Sequence, residues 1–189
     1  KEKLKKYITP VTLVLFMANV LVYIYLSFKG DVYDAEFMYQ NGASNFLDVL
    51  KERQYWRLFT SMFLHFGLQH LIGNMIALLF LGNILERRLG KLRYLGVYLM
   101  SGMCAGVVSC LYEYYQYSSQ LVVEDAMVVS AGASGAVFGI IGALIFLVIF
   151  RRKKNEEIDI RQLAWMALFS VLSGVMTTGI DNAAHMGGL

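Results

Sequence analysis

The chain has 189 residues, of which 57% are hydrophobic and 16% charged, with a mean hydropathy of +0.52 and a net charge of +3. Soluble domains carry about 25% charged and 45–50% apolar residues, so this composition excludes an ordinary soluble domain and describes an integral membrane protein. The basic residues fall in blocks between apolar stretches (Lys1 to Lys6, Arg87 to Arg93, Arg151 to Lys154 with Arg161), which records topology and argues against a nucleic-acid partner.

Crossing the hydrocarbon takes about 20 mostly apolar residues. A first span is expected over 8–28; its basic lead resembles a signal peptide, but it is too long and lacks a small-residue cleavage pattern, so it is read as retained. Residues 29–68 form a polar-aromatic connection containing Tyr33, Phe37, Tyr39, Phe46, Tyr55, Trp56 and Phe59, expected to lie along one bilayer surface with Arg57 pinning it. Spans over 69–89 and 92–115 follow. The second of these carries Cys104 and Cys110, whose spacing suggests neither a metal site nor a disulfide framework. A second connection, 116–131, leads to a fourth span over 134–150, and a fifth is expected over 162–178. A sixth begins near Asn182 and covers 182–189, well short of a crossing, so the natural sequence is expected to continue beyond Leu189. No linker, low-complexity tract or repeat divides the chain, and 1–189 reads as a single domain.

With the N-terminus in the cytoplasm, only Lys29, Lys51, Arg53 and Arg57 of the 17 basic residues fall outside, which satisfies the positive-inside rule. That topology places three polar positions at similar depth near the outer face. Ser134 opens the fourth span, His185 lies near the start of the sixth, and His70 with Asn74 starts the second. The i, i+4 spacing puts His70 and Asn74 on one helical face.

Hydroxyl and imidazole groups within a bilayer call for a functional reading. Ser134 needs a base, and neutral His185 supplies one near neutral pH. His70 and the Asn74 amide can donate to a developing oxyanion. Gly132 and Gly135 permit close backbone approach. Each residue also has a plainer reading: Ser134 as a helix cap, His70 and Asn74 as cross-helix hydrogen bonders, His185 as a packing residue. The small-residue stripes Gly135/Gly139/Ala143 and Ala184/Gly188 are read as packing surfaces, and by letting the fourth and sixth spans touch they would bring Ser134 against His185. His65 is read as structural or interfacial. Asp181, four residues before His185, could orient the imidazole, but a Ser/His dyad is preferred to a triad.

These stretches resemble the rhomboid intramembrane serine proteases. Tyr55-Trp56-Arg57, His65 and His70 with Asn74, Glu86 through Gly90, Gly132-Ala133-Ser134-Gly135 and Ala184-His185-Met186-Gly187-Gly188 occur in the family order. The resemblance implies an all-α, polytopic six-helix bundle with its sixth helix truncated in this chain. It further implies Ser134 as nucleophile, His185 as base, and His70, Asn74 and the Ser134 backbone N–H as the oxyanion hole. Gly132, Gly135 and Phe138 support the site, Phe138 standing where many family members have a Tyr stacked on the catalytic imidazole. In the family the first connection lies partly in the outer leaflet, and the fifth span with the loop before the sixth gates substrates.

The expected activity is hydrolysis of peptide bonds in or near the transmembrane segments of membrane-protein substrates, through an acyl-enzyme on Ser134. The expected partners are those substrates and the lipid bilayer, with no nucleic acid, no cofactor and no metal: HExxH is absent, and His70 with Asn74 is a poor zinc set. A bacterial plasma membrane is the expected location, with a cytoplasmic N-terminus and an outward site. Two other classes are weighed. A non-catalytic family member escorting transmembrane clients predicts loss of Ser or His, and a small transporter predicts broken helices in repeated halves.

Overall fold

The computed structural model describes residues 8–119, 129–150 and 182–189. The expected fifth span and Asp181 lie outside the described residues. Among the described residues, three helical stretches are long and apolar enough to cross a membrane: α1 (Pro10–Lys29), the paired α5 (Gly67–Ala77) and α6 (Asn83–Leu89), and α7 (Lys91–Ser118). A shorter apolar helix, α8 (Ser134–Phe150), covers the residues expected for a fourth span, and a short helix, α9 (Asn182–Gly188), covers those expected to begin a sixth. The first connection folds into α2 (Ala35–Gln40), α3 (Phe46–Leu50), α4 (Arg57–Thr60) and a 3₁₀ turn at Ser61–Phe63.

The helices face the bilayer and the bundle in a way their sequences dictate. α1 buries Thr12, Leu15, Asn19 and Leu26 and exposes Leu13, Val14, Met17, Leu21, Ile24 and Phe28. Its polar Thr12 and Asn19 therefore point inward beside Leu15 and Leu26, while the face turned to lipid is apolar, as cross-helix hydrogen bonding in a membrane requires. α7 buries Tyr94, Tyr98, Gly102, Ala105, Ser109 and Glu113, a face recurring every three or four residues. α8 buries every residue from Gly135 to Ile141, so it stands inside the bundle, packed on α7 and α9. The core between these elements contains Leu15, Leu78, Leu81, Leu85, Tyr94, Tyr98, Ile140 and Leu144.

The N-terminal end of α1 is closed by a neighbouring helix. Pro10 occupies the first turn, where its missing N–H costs nothing. The Glu86 carboxylate accepts from Val11 N (3.1 Å), Thr12 N (2.8 Å) and Thr12 Oγ1 (3.0 Å). Asn83 Oδ1 accepts from Thr9 N at 2.6 Å. Helix-start amides that lipid could not satisfy are thus satisfied by α6. Between α5 and α6 the chain makes one π-turn, Leu78–Gly82. The Tyr94 hydroxyl sits where a Cβ on Gly82 would be, and Thr12 Oγ1 lies 3.2 Å from that point, so glycine is required there.

Local caps shape the first connection: Asp34 accepts from Glu36 N (3.1 Å) and Asn45 accepts from Leu47 N (2.9 Å). Arg57 pins it, as expected. Its Nη1 donates to the carbonyls of Tyr39 and Ala43 at 2.8 Å each, and its Nε donates to Gln54 Oε1 at 2.7 Å. The guanidinium rests on the Tyr39 and Trp56 rings, 4.4 and 4.7 Å from their centroids. Tyr33, Tyr55, Trp56 and Phe59 remain exposed, the placement of an interfacial segment.

Candidate active site

Ser134 is the first residue of α8, and residues 129–133 deliver it. Four contacts fix that segment from outside. Ser44 and Ser130 exchange backbone hydrogen bonds (2.9 and 2.8 Å) as an isolated antiparallel bridge. Gly132 N donates to the Ser61 carbonyl at 2.9 Å, and Ala133 N donates to His65 Nε2 at 3.4 Å. From α7, the Glu113 carboxylate accepts from the Ser130 hydroxyl at 3.0 Å. The loop before Ser134 therefore rests on the first connection and on α7.

Gly132 has a φ of +140°, a backbone conformation that L side chains rarely adopt. The point its Cβ would occupy lies 2.8 Å from His70 Cε1, 2.9 Å from His70 Nε2 and 3.7 Å from Ser134 Oγ. The His70 imidazole thus presents its Nε2 edge to the turn before Ser134. Asn74, buried one turn further along α5, donates from Nδ2 to the His70 carbonyl at 3.1 Å. One of its two amide protons is held within the helix, and the other remains for a further acceptor.

His185 lies on α9, 7% exposed, with its ring stacked on Phe138 at 4.5 Å between centroids and 15° between planes. Phe138 sits one turn after Ser134 on the same face of α8. The glycines make this contact possible. A Cβ on Gly188 would strike the Gly135 carbonyl, one on Gly139 would lie 3.0 Å from the Gly188 carbonyl, and one on Gly135 would strike Ala105 and lie 3.5 Å from the Ala184 carbonyl. The stripe expected to join the fourth and sixth spans does so, and it also admits α7.

Ser134 opens on a cavity of about 40 Å³ walled by Ser44, Ser61, Ser109, Ser130, Gly132 and Ala184, among others. That space holds about two or three waters, which meets the need for water inside a bundle.

His65 is the residue whose place the sequence hid. It is 1% exposed, edge-on to His70 (centroids 5.1 Å apart, 67° between planes), and it accepts the Ala133 amide. Burial, with the neighbouring His70 adding to it, pushes its pKa down to about 3, so it stays neutral and can accept. Its position in a surface connection gave no sign of this depth. Glu113 was also unmarked, although its place on the inward face of α7, four residues from Ser109, was a legible cue.

The fold and the site together define an integral, multi-pass, helical membrane protein that gathers Ser134, His185, His70 and Asn74 at one end of its bundle. The Rhomboid domain family matches residues 52–189, and the chain belongs to the rhomboid family. RHOMBOID-like protein 7 of Arabidopsis thaliana is 34% identical over 148 residues, 78% of this chain and 44% of that protein. Rhomboid protease GluP of Bacillus subtilis is 30% identical over 181 residues, 95% of this chain and 33% of that protein. Rhomboid protease AarA of Providencia stuartii is 33% identical over 191 residues, 94% of this chain and 68% of that protein. The chain therefore spans from a third to about two thirds of the length of these relatives.

Proposed function

We propose that the protein is an intramembrane serine endopeptidase that cleaves membrane-protein substrates in or near their transmembrane segments. The observation that carries the reading is the stack of His185 on Phe138, one helical turn from Ser134, across a glycine contact between α8 and α9. The names of GluP and AarA, both rhomboid proteases, support it.

In this mechanism His185 takes the Ser134 hydroxyl proton as Oγ attacks the scissile carbonyl. The negative oxygen of the tetrahedral intermediate receives hydrogen bonds from His70 Nε2–H, the second proton of the Asn74 amide and the Ser134 backbone N–H, which is unpaired within α8 as a helix-start donor. The intermediate collapses as the amine leaves with the proton from His185, giving an acyl-enzyme on Ser134. A water, deprotonated by His185, then hydrolyses the ester and returns the proton to Oγ. Phe138 holds the imidazole plane without offering it a hydrogen bond. The protein acts as a single six-span unit, with its N-terminus in the cytoplasm and its site opening toward the outer face of a bacterial plasma membrane.

The test is cleavage of a type I single-span substrate in detergent by wild type, Ser134→Ala and His185→Ala. Cleavage by wild type and its loss in both variants is the expected result. Equal cleavage by wild type and Ser134→Ala would overturn the assignment. Folded wild type that binds the substrate without cutting it would instead favour an escort role.

A further inference from the structure

Residues 87–93 carry four cations, Arg87, Arg88, Lys91 and Arg93, and no acid. They fall where α6 passes into α7 through a single residue, Gly90, whose φ of +80° and N–H to the Glu86 carbonyl (2.8 Å) close the turn. So short a connection puts the last turn of α6 and the first turn of α7 on one small surface. The acid beside it does not neutralise that surface: Glu86 is 3% exposed and accepts from the Val11 and Thr12 amides. Among the described residues, nothing stands within 4 Å of the point a Gly90 Cβ would occupy, so the tip of the turn is uncovered.

Helix electrostatics accounts for half of this charge. Cations are favoured at a helix C-terminus, where Arg87 and Arg88 lie, and disfavoured at a helix start, where Lys91 and Arg93 stand in the first turn of α7 with no acid beside them. Orienting the chain in a membrane would be served by the same cations spread along that surface; the glycine turn concentrates them. Leu92, between Lys91 and Arg93, is 85% exposed on a helix apolar enough to cross a membrane, so its side chain meets hydrocarbon. The cations flanking it therefore stand at the level of the lipid phosphates, on stems long enough to reach them. The 23 residues of Gly67–Leu89 run about 35 Å as helix, so this level is the membrane surface far from His70.

We propose that the α6–α7 turn binds the phosphate of an anionic phospholipid, held by Lys91 and Arg93 with Arg87 and Arg88 beside them, while the acyl chains pack on Leu92. Arg87 and Arg88 also interact with other groups of the protein, and each guanidinium has five donors to divide among partners. A zwitterionic lipid presents the same phosphate but brings an ammonium that the four cations repel. The turn therefore prefers lipids of net negative charge, by about fivefold for each cation at the surface. This binding stands whether or not the protein cleaves peptides.

The experiment mixes the full chain in neutral detergent with equal amounts of phosphatidylglycerol and phosphatidylcholine and counts the retained lipids by native mass spectrometry. Wild type should retain phosphatidylglycerol in clear excess. Lys91→Gln with Arg93→Gln should lower its retention about 25-fold and leave phosphatidylcholine unchanged, whereas Lys91→Arg with Arg93→Lys should match wild type. Lys51→Gln with Arg53→Gln removes two exposed cations of the first connection and should also match wild type. Equal retention of the two lipids by wild type would overturn the proposal. So would a loss in the Lys51/Arg53 variant as large as in the Lys91/Arg93 variant, since any surface charge would then suffice. Millimolar inorganic phosphate should not displace the lipid, and displacement would overturn its assignment as the occupant. Should the neutral Lys91/Arg93 pair fail to fold, raising the ammonium acetate about tenfold on wild type is the second measurement. The excess of phosphatidylglycerol should fall, and an unchanged excess counts against an electrostatic site.

Discussion

Replacing Gly132 with alanine tests the geometry of the site most directly. The added Cβ would come within 2.8 and 2.9 Å of two imidazole atoms of His70, where ordinary contact begins near 3.4 Å. The backbone φ of +140° adds a second penalty, of about 1–3 kcal/mol for a residue with a Cβ. The chain can relieve the overlap by swinging the imidazole out or by shifting the turn that presents Ser134, and both dissolve the donor arrangement. Loss of one oxyanion donor costs about 10²–10³-fold in kcat. Gly132→Ala should therefore cut kcat by that factor with KM within a few-fold of wild type, in a detergent assay on a fluorogenic transmembrane substrate. In His70→Ala the obstructed imidazole is gone, so the double variant should be scarcely slower than His70→Ala alone. Wild-type activity in Gly132→Ala would refute this reasoning, and so would losses in the double variant that multiply.

Three further outcomes are expected. Gly188→Ala should push α9 off the Gly135 carbonyl and lower activity at least 10²-fold, since misplacement of about 1 Å costs that much; the check is kcat/KM alongside the fluorescence of a serine-reactive phosphonate probe. His65 is held neutral in the fold down to about pH 3, whereas an unfolded histidine binds a proton below about 6.5. Between those values the unfolded state takes up the extra proton, so the stability His65 contributes is intact above pH 6.5 and is lost as pH falls, at up to about 1.4 kcal/mol per pH unit. His65→Gln, which can still accept from Ala133 but cannot titrate, should flatten the melting temperature of the folded protein between pH 6 and 4, and an unchanged pH profile would count against the assignment. Glu86→Ala should strand the Val11 and Thr12 amides and lower the melting temperature well beyond the effect of Glu86→Gln, which keeps one acceptor.

The parts of this architecture that were legible in the sequence are those encoded by local pattern. Helix lengths follow from runs of apolar residues, and the helices Pro10–Lys29, Gly67–Leu89, Lys91–Ser118 and Ser134–Phe150 begin and end within a few residues of the limits expected for the first four spans. The meeting of α8 and α9 was legible as well, because Gly135, Gly139 and Gly188 advertise close packing through their size. Arg57 in an aromatic stretch announced an anchor. The supports of the loop before Ser134 were not legible, since Ser44, Ser61, His65 and Glu113 reach residues 129–133 across separations that no period records. Asn74 shows the same limit from another side: its place on the helix could be read from spacing, but the hydrogen bond that takes one of its protons depends on a side-chain rotation.

The π-turn at Leu78–Gly82 divides the second span into two halves with separate duties. Each residue of an α-helix advances the face by about 100°, so one wide turn re-aims everything below it without moving anything above. The upper half is phased on the loop before Ser134, setting the His70 ring against Gly132. The lower half is phased on α1, carrying Asn83 and Glu86 to its first amides. An uninterrupted helix would have to compromise between these two alignments. The wide turn works as a mechanical coupling, letting one rod engage two partners whose angular settings differ, so that the anchorage of α1 and the aim of His70 can each be set independently.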